Sequence, residues 1–200
     1  MDLPGFLLAA LLVELTPGPN MAWLAIVSAE RGRVAGVAAV AGVMLGLGAI
    51  GLLAALGLGS LVAASPVLYG ALRWAGVAWL LWLAVDGWRS ADDPPEAVPT
   101  GWGLGRYLRR GLVTNLLNPK AAVFYLTVLP SFTDPGAPML PQTLTLSVAY
   151  VGVATAIHAG IVALAGLAAP LLRDPRRALV IRRTLSFALG LVALWFLWET

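Results

Sequence analysis

Residues 12–20 read LVELTPGPN and residues 112–120 read LVTNLLNPK, and both stretches lie inside long apolar segments. Proline removes a backbone donor and clashes with the preceding helical turn, and glycine adds backbone freedom. Each stretch therefore predicts a broken helix. An offset of 100 residues superposes the two stretches, with a proline next to a polar residue at the end of each. The paired breaks predict that the chain consists of two related halves.

The composition around these breaks predicts a membrane protein. Of the 200 residues, 60% are hydrophobic and 12% are charged, and the mean hydropathy is +0.86. A soluble domain is about 25% charged, and so few charges could not cover its surface. Lipid can solvate such a surface, so the lipid bilayer is the expected environment. The net charge of +3 is better explained by arginines in cytoplasmic loops than by binding to nucleic acid.

Six apolar segments are long enough to cross a bilayer, which requires about 20 residues per helix. They cover residues 3–28, 36–62, 68–88, 109–131, 143–169 and 181–198. A polar, proline-rich linker over about 91–105 separates them into two groups of three. Three spans in each half give the halves opposite orientations, which is the condition for an inverted repeat. We therefore expect an all-α protein with one transmembrane domain over residues 1–200, in which repeat 1 covers about 1–90 and repeat 2 about 106–200.

The basic residues predict the orientation in the membrane. Eleven of the thirteen lie in the loops after the first, third and fifth spans. Such loops face the cytoplasm, so both termini are expected outside. No basic residue precedes Arg31, so the first span lacks the positive start of a cleavable signal peptide.

Broken helices at membrane depth are typical of transporters. Polar backbone is tolerated there only where it is buried in protein or lines a wet cavity, and transporters use such breaks to bind substrate. A packing kink is the alternative for either break alone, and the presence of two in related positions favours a site. The candidate substrate-binding residues are Glu14, Pro17, Gly18, Pro19, Asn20, Asn115, Asn118, Pro119 and Lys120.

Three ionisable residues in the spans are candidates for charge movement. Lys120, the single lysine, lies ten residues after Arg110, or about 15 Å at helical rise, which disfavours snorkelling to the interface. Glu14 could pair with Lys120, bind a substrate ammonium group or carry a proton. His158 is a second proton-coupling candidate, although a lone histidine is more often hydrogen-bonded across helices.

The sequence favours transport over other functions. It contains no cysteine, and no catalytic triad, metal-ligand set or phosphate-binding loop is recognisable, so we expect neither an enzyme nor a cofactor. The alternatives are an exporter or channel for an inorganic cation and a membrane scaffold without transport activity. Ala38, Gly42 and Gly46 form a stripe of small residues that allows close helix packing, within the chain or across a homodimer.

The motifs resemble those of the LysE/RhtB family of amino-acid exporters. The similar segments are residues 14–21, ELTPGPNM, residues 28–33, SAERGR, and residues 111–120, GLVTNLLNPK. The resemblance implies a six-helix protein of the bacterial inner membrane that exports amino acids or their derivatives, driven by the proton gradient. Many members have an apolar or small residue where this chain has Glu14, and a carboxylate there favours a cationic or amine substrate.

Overall fold

The protein is mostly helical in the residues that the structure, a computed structural model, describes: 1–15, 19–57, 65–89, 103–167 and 175–199. No strand occurs in these ranges. The helices are α1 (Leu3–Leu15), α2 (Pro19–Ala55), α3 (Pro66–Arg89), α4 (Leu104–Leu116), α5 (Pro119–Val123), α6 (Met139–Ala165) and α7 (Pro175–Glu199). A π-helical turn (Phe124–Val128) and a 3-10 turn (Leu129–Phe132) continue α5.

The length and composition of the helices confirm a helical membrane protein. Helices α2 and α6 are each long and apolar enough to cross a bilayer. The segments Leu104–Leu116 and Lys120–Phe132 qualify as a third span when they are counted together across their 52° bend. Leu3–Leu15 and Trp74–Asp86 are shorter apolar helices. The described helices thus supply two or three candidate spans, and the count of six stays a prediction.

The connection between the first two predicted spans is shorter than we expected. We predicted a loop between residues 28 and 36, but helix α2 runs through this region and is interrupted only at Gly32, which has φ 83° and ψ 168°. Glycine adopts positive φ without steric cost, so a single residue is enough to redirect the chain. Most of the predicted linker over 91–105 lies outside the described residues, which begin again at Gly103.

Glycines bring α2 and α4 into close contact. A Cβ atom on Gly42 would overlap the carbonyl oxygen of Leu108, and one on Gly111 would overlap the carbonyl oxygen of Ala39. A Cβ atom on Gly46 would lie 2.9 Å from the Cβ atom of Asn115. The small-residue stripe therefore packs within the chain, so a homodimer would have to use another face.

Two buried stripes with four-residue spacing face each other in the core. In α1 the buried residues are Phe6, Ala10 and Glu14, and lipid-facing leucines such as Leu8 and Leu12 are more than half exposed, at 58% and 59%. Helix α6 packs against α1. Its matching buried residues are Gln142, Leu146, Tyr150, Ala154, His158 and Val162. Residues four positions apart lie on one helix face, so this packing brings the polar groups of both helices into the interior.

Candidate functional site

The second predicted break is present between α4 and α5, and the residue that follows the first predicted break lies beside it in the interior of the protein. Helix α1 ends at Leu15 and α2 begins at Pro19, while α4 ends at Leu116 and α5 begins at Pro119. The Asn20 amide Nδ2 donates a hydrogen bond to Asn115 Oδ1 at 2.8 Å, and both side chains are buried. A side-chain hydrogen bond therefore joins the start of α2 to the end of α4. The candidates Pro17 and Gly18 lie outside the described residues.

The Asn20–Asn115 pair leaves one acceptor and one donor unused. Asn20 Oδ1 and Asn115 Nδ2 are both buried and neither has a hydrogen-bond partner. Most buried polar groups in folded proteins are paired, and an unpaired one costs about 1–3 kcal/mol. An acceptor beside a donor at a helix break is suited to a ligand that carries both a positive and a negative group.

Asn118 fixes the geometry of the second break. Its side-chain oxygen accepts a hydrogen bond from the backbone N–H of Lys120 at 3.1 Å, the usual role of an N-cap residue. Asn118 has extended backbone angles, φ −85° and ψ 107°, so α4 cannot continue into α5. The cap places Lys120 in the first turn after the break, where its side chain is half-buried.

Glu14 is the centre of a second buried cluster. The Tyr150 hydroxyl donates to Glu14 Oε1 at 2.5 Å, and His158 Nε2 lies 3.4 Å from Glu14 Oε2. All three side chains are buried, and His158 Nδ1 has no hydrogen-bond partner. The Glu14 carboxylate also interacts electrostatically with Lys120. Both carboxylate oxygens are therefore engaged by α6.

Aromatic rings connect this cluster to the second break. The Tyr150 ring stacks on Phe124, with 3.8 Å between centroids and 14° between planes. The Tyr125 ring meets Tyr150 edge-on at 5.4 Å, and its hydroxyl donates to the Leu47 carbonyl oxygen at 3.1 Å. Phe124 and Tyr125 begin the π-helical turn, an irregularity that is frequent at functional sites.

The sequence analysis identified most of this constellation but not Tyr150, Phe124 or Tyr125. The structure brings Asn20 together with Asn115, and Glu14 together with His158. Tyr150 could have been found from its spacing, because it lies two four-residue steps before His158 on the same buried face of α6. Among the described residues, no group of three or more histidine, aspartate or glutamate side chains could hold a metal ion.

Comparison with known proteins assigns the family. The model of the LysE type translocator family matches residues 11–200. The chain is 33% identical to the homoserine/homoserine lactone efflux protein of Salmonella typhimurium, over 86% of this chain and 84% of that protein. It is 32% identical to the leucine efflux protein of Klebsiella pneumoniae, over 72% of this chain and 71% of that protein. No solved structure gives a significant match. The family match covers nearly the whole chain, including both helix breaks and the Glu14 cluster, and this chain belongs to the family of LysE type translocators.

Proposed function

We propose that this translocator exports amino acids or amino-acid derivatives across the bacterial cytoplasmic membrane, coupled to proton entry. Relatives named for the efflux of homoserine, homoserine lactone and leucine support an amino-acid substrate. The central observation is the Asn20–Asn115 pair, which bridges the two helix breaks and offers an unpaired acceptor and an unpaired donor. An amino acid at neutral pH carries the complementary ammonium and carboxylate groups.

The proposed site uses both breaks. Asn20 Oδ1 accepts from the substrate ammonium group, and Asn115 Nδ2 and the Lys120 ammonium group hold the carboxylate. Asn20 is the second residue of α2, and a helix N-terminus also attracts a carboxylate. Asn118 acts indirectly by capping α5 and orienting Lys120. Pro17, Gly18, Pro19 and Pro119 contribute by keeping the helices interrupted.

Glu14 serves as the proton-binding group in this proposal. Tyr150 and His158 already engage its two oxygens, so it has less capacity to bind a substrate ammonium group than the sequence suggested. His158 lies within reach to exchange a proton with it. This arrangement favours an amino acid over a simple amine as the exported solute.

The proposed architecture is six spans in two inverted repeats, over about 1–90 and 106–200, with both termini on the outer side of the cytoplasmic membrane. The breaks at corresponding positions of α1–α2 and α4–α5 support the repeat. An ion pair supports the placing of the arginine-rich loops on one side. Arg110 at the start of the fourth predicted span lies 2.9 Å from Asp86 at the end of the third. Rocking of the two halves about the midplane site would alternate access to it.

Transport in proteoliposomes tests the proposal. We expect the wild-type protein to release preloaded radiolabelled homoserine or leucine faster when a proton gradient is imposed. Lys120→Ala should lower the apparent affinity about 10- to 100-fold, because hydrogen bonds to charged groups contribute about 1.5–3 kcal/mol. Arg109→Ala is the matched control for loss of a positive charge, because Arg109 is exposed at the predicted cytoplasmic end of the same span. Equal rates in all three proteins, or no amino-acid release by the wild type, would refute the proposed site or the proposed substrate class respectively.

A further inference from the structure

Tyr150 contacts both Glu14 and the segment that follows the second break. Its hydroxyl donates to Glu14 on α1, and its ring lies flat against Phe124, four residues after Lys120. Tyr150 is completely buried, so its two contacts cannot be exchanged for contacts with water. A change at Glu14 must therefore be accommodated by the segment that follows the second break.

The hydrogen bond depends on the charge of Glu14. A carboxylate accepts the phenolic proton strongly, since hydrogen bonds to ionised acceptors are about twice as strong as neutral ones. A protonated carboxyl group has a hydrogen of its own to donate and loses much of this preference. Protonation of Glu14 thus weakens the hydrogen bond that helps to hold Tyr150 in place.

The stacked rings transmit that change to the break. Phe124 also packs against Phe6 of α1, with ring centroids 5.6 Å apart, and is itself buried. The π-helical turn that begins at Phe124 lacks the regular hydrogen-bond pattern of an α-helix. A displacement of the Tyr150 ring would therefore reach α5 and Lys120 through a segment that can change its winding.

We propose that Tyr150 is a positioning residue that couples the protonation of Glu14 to the substrate-binding break at Asn118–Lys120. The inference rests on the proposed proton-coupled export and adds the physical link between proton and substrate. In the described part of the chain, the titratable groups around Glu14 are Tyr150 and His158 on α6, Lys120 on α5 and Tyr125 in the π-helical turn. Of these, Tyr150 is the one that combines a hydrogen bond to Glu14 with ring stacking on the broken helix.

The hydroxyl and the ring are tested by separate substitutions. Tyr150→Phe keeps the ring on Phe124 and removes the hydrogen-bond donor to Glu14. The pH profile of export should shift from that of the wild type, because the ionised carboxylate of Glu14 loses a charge-assisted hydrogen bond. Tyr125→Phe is the matched control, because it removes a buried hydroxyl from the same aromatic cluster, one that is bonded to Leu47 instead of Glu14. Its pH profile should follow that of the wild type.

Tyr150→Leu removes the ring as well. Amino-acid binding, measured as thermal stabilisation by homoserine or leucine, should persist, whereas an outward amino-acid gradient should no longer drive proton uptake into the vesicles. A Tyr150→Phe profile that superposes on the wild type, or an equal shift in Tyr125→Phe, overturns the role of the hydroxyl. Wild-type proton uptake in Tyr150→Leu overturns the role of the ring. Absence of amino-acid export by the wild type would instead refute the proposed function, so the two failures are distinguishable.

Discussion

Individual polar side chains in this protein are informative because the surrounding composition is so apolar. The unpaired atoms of Asn20 and Asn115 are a cost to the folded protein unless a ligand pairs with them. By contrast, the neighbouring Thr114 is fully paired in its contact with α3, because its hydroxyl oxygen accepts a hydrogen bond from Trp79 Nε1 at 2.9 Å. The same turn of α4 thus contains one polar side chain paired with a neighbouring helix and one with an unpaired donor.

This contrast gives a prediction for α4. Asn115→Ala should reduce stabilisation of the purified protein by homoserine or leucine to near zero at concentrations that stabilise the wild type, because ligand binding to the folded state raises stability by mass action. Thr114→Val removes a buried hydrogen bond one residue away and should lower the basal melting temperature while preserving the ligand-induced increase. Ligand-induced increases of similar size in wild type and Asn115→Ala would contradict the role of Asn115.

The sequence was sufficient to predict the residues at the breaks, but not their partners. A proline beside a polar residue in an apolar span is visible without a structure, and so is a lone histidine. The bond between Asn20 and Asn115 spans 95 positions, and that between Tyr150 and Glu14 spans 136. Such pairs depend on how helices pack, which local sequence periodicity does not encode. For this reason the sequence left three roles open for Glu14: pairing with Lys120, binding a substrate ammonium group or carrying a proton.

At the level of elements, glycine decides how closely helices can approach. The predicted small-residue stripe does lie on a helix face, and its partner is α4 of the same chain. Gly42 is in contact with backbone atoms of Leu108 and Leu112, and backbone cannot move aside as a flexible side chain can. The approach of α2 to α4 also brings Gly46 against Asn115, so this packing positions the proposed site.

Substitution of Gly42 should therefore disturb both stability and function. Gly42→Ala is expected to destabilise the protein by about 1–3 kcal/mol, because the added methyl group forces the helix pair apart. Gly48→Ala is the matched control on the same helix, since nothing lies within 4 Å of a Cβ atom built there. Thermal unfolding in detergent compares the two variants. Equal melting temperatures would mean that α2 and α4 can separate without loss of stability.

At the level of the whole molecule, a few polar contacts join the region around Gly32 to the end of α6, on the side predicted to be cytoplasmic. The Ser28 hydroxyl donates to the Val162 carbonyl oxygen at 2.6 Å, and Arg33 Nη2 donates to that of Ala163 at 3.1 Å. These carbonyls lie in the last turn of α6, and that of Val162 also accepts from the backbone N–H of Gly166. The residues on either side of Gly32 are thus hydrogen-bonded to the end of α6.

The distribution of basic residues between the loops predicts the orientation of the protein in the membrane. Eleven of thirteen basic residues lie in the loops after the first, third and fifth predicted spans, which predicts that Gly105 faces the cytoplasm and that the turn at Gly136 lies outside. The chain contains no cysteine, so Gly105→Cys and Gly136→Cys each introduce a single reactive thiol without prior engineering. In intact spheroplasts, a membrane-impermeant maleimide should label Gly136→Cys, whereas Gly105→Cys should require disruption of the membrane. The reverse pattern would invert the topology, and labelling of both positions from one side would require an even number of spans between them, which excludes the inverted repeat.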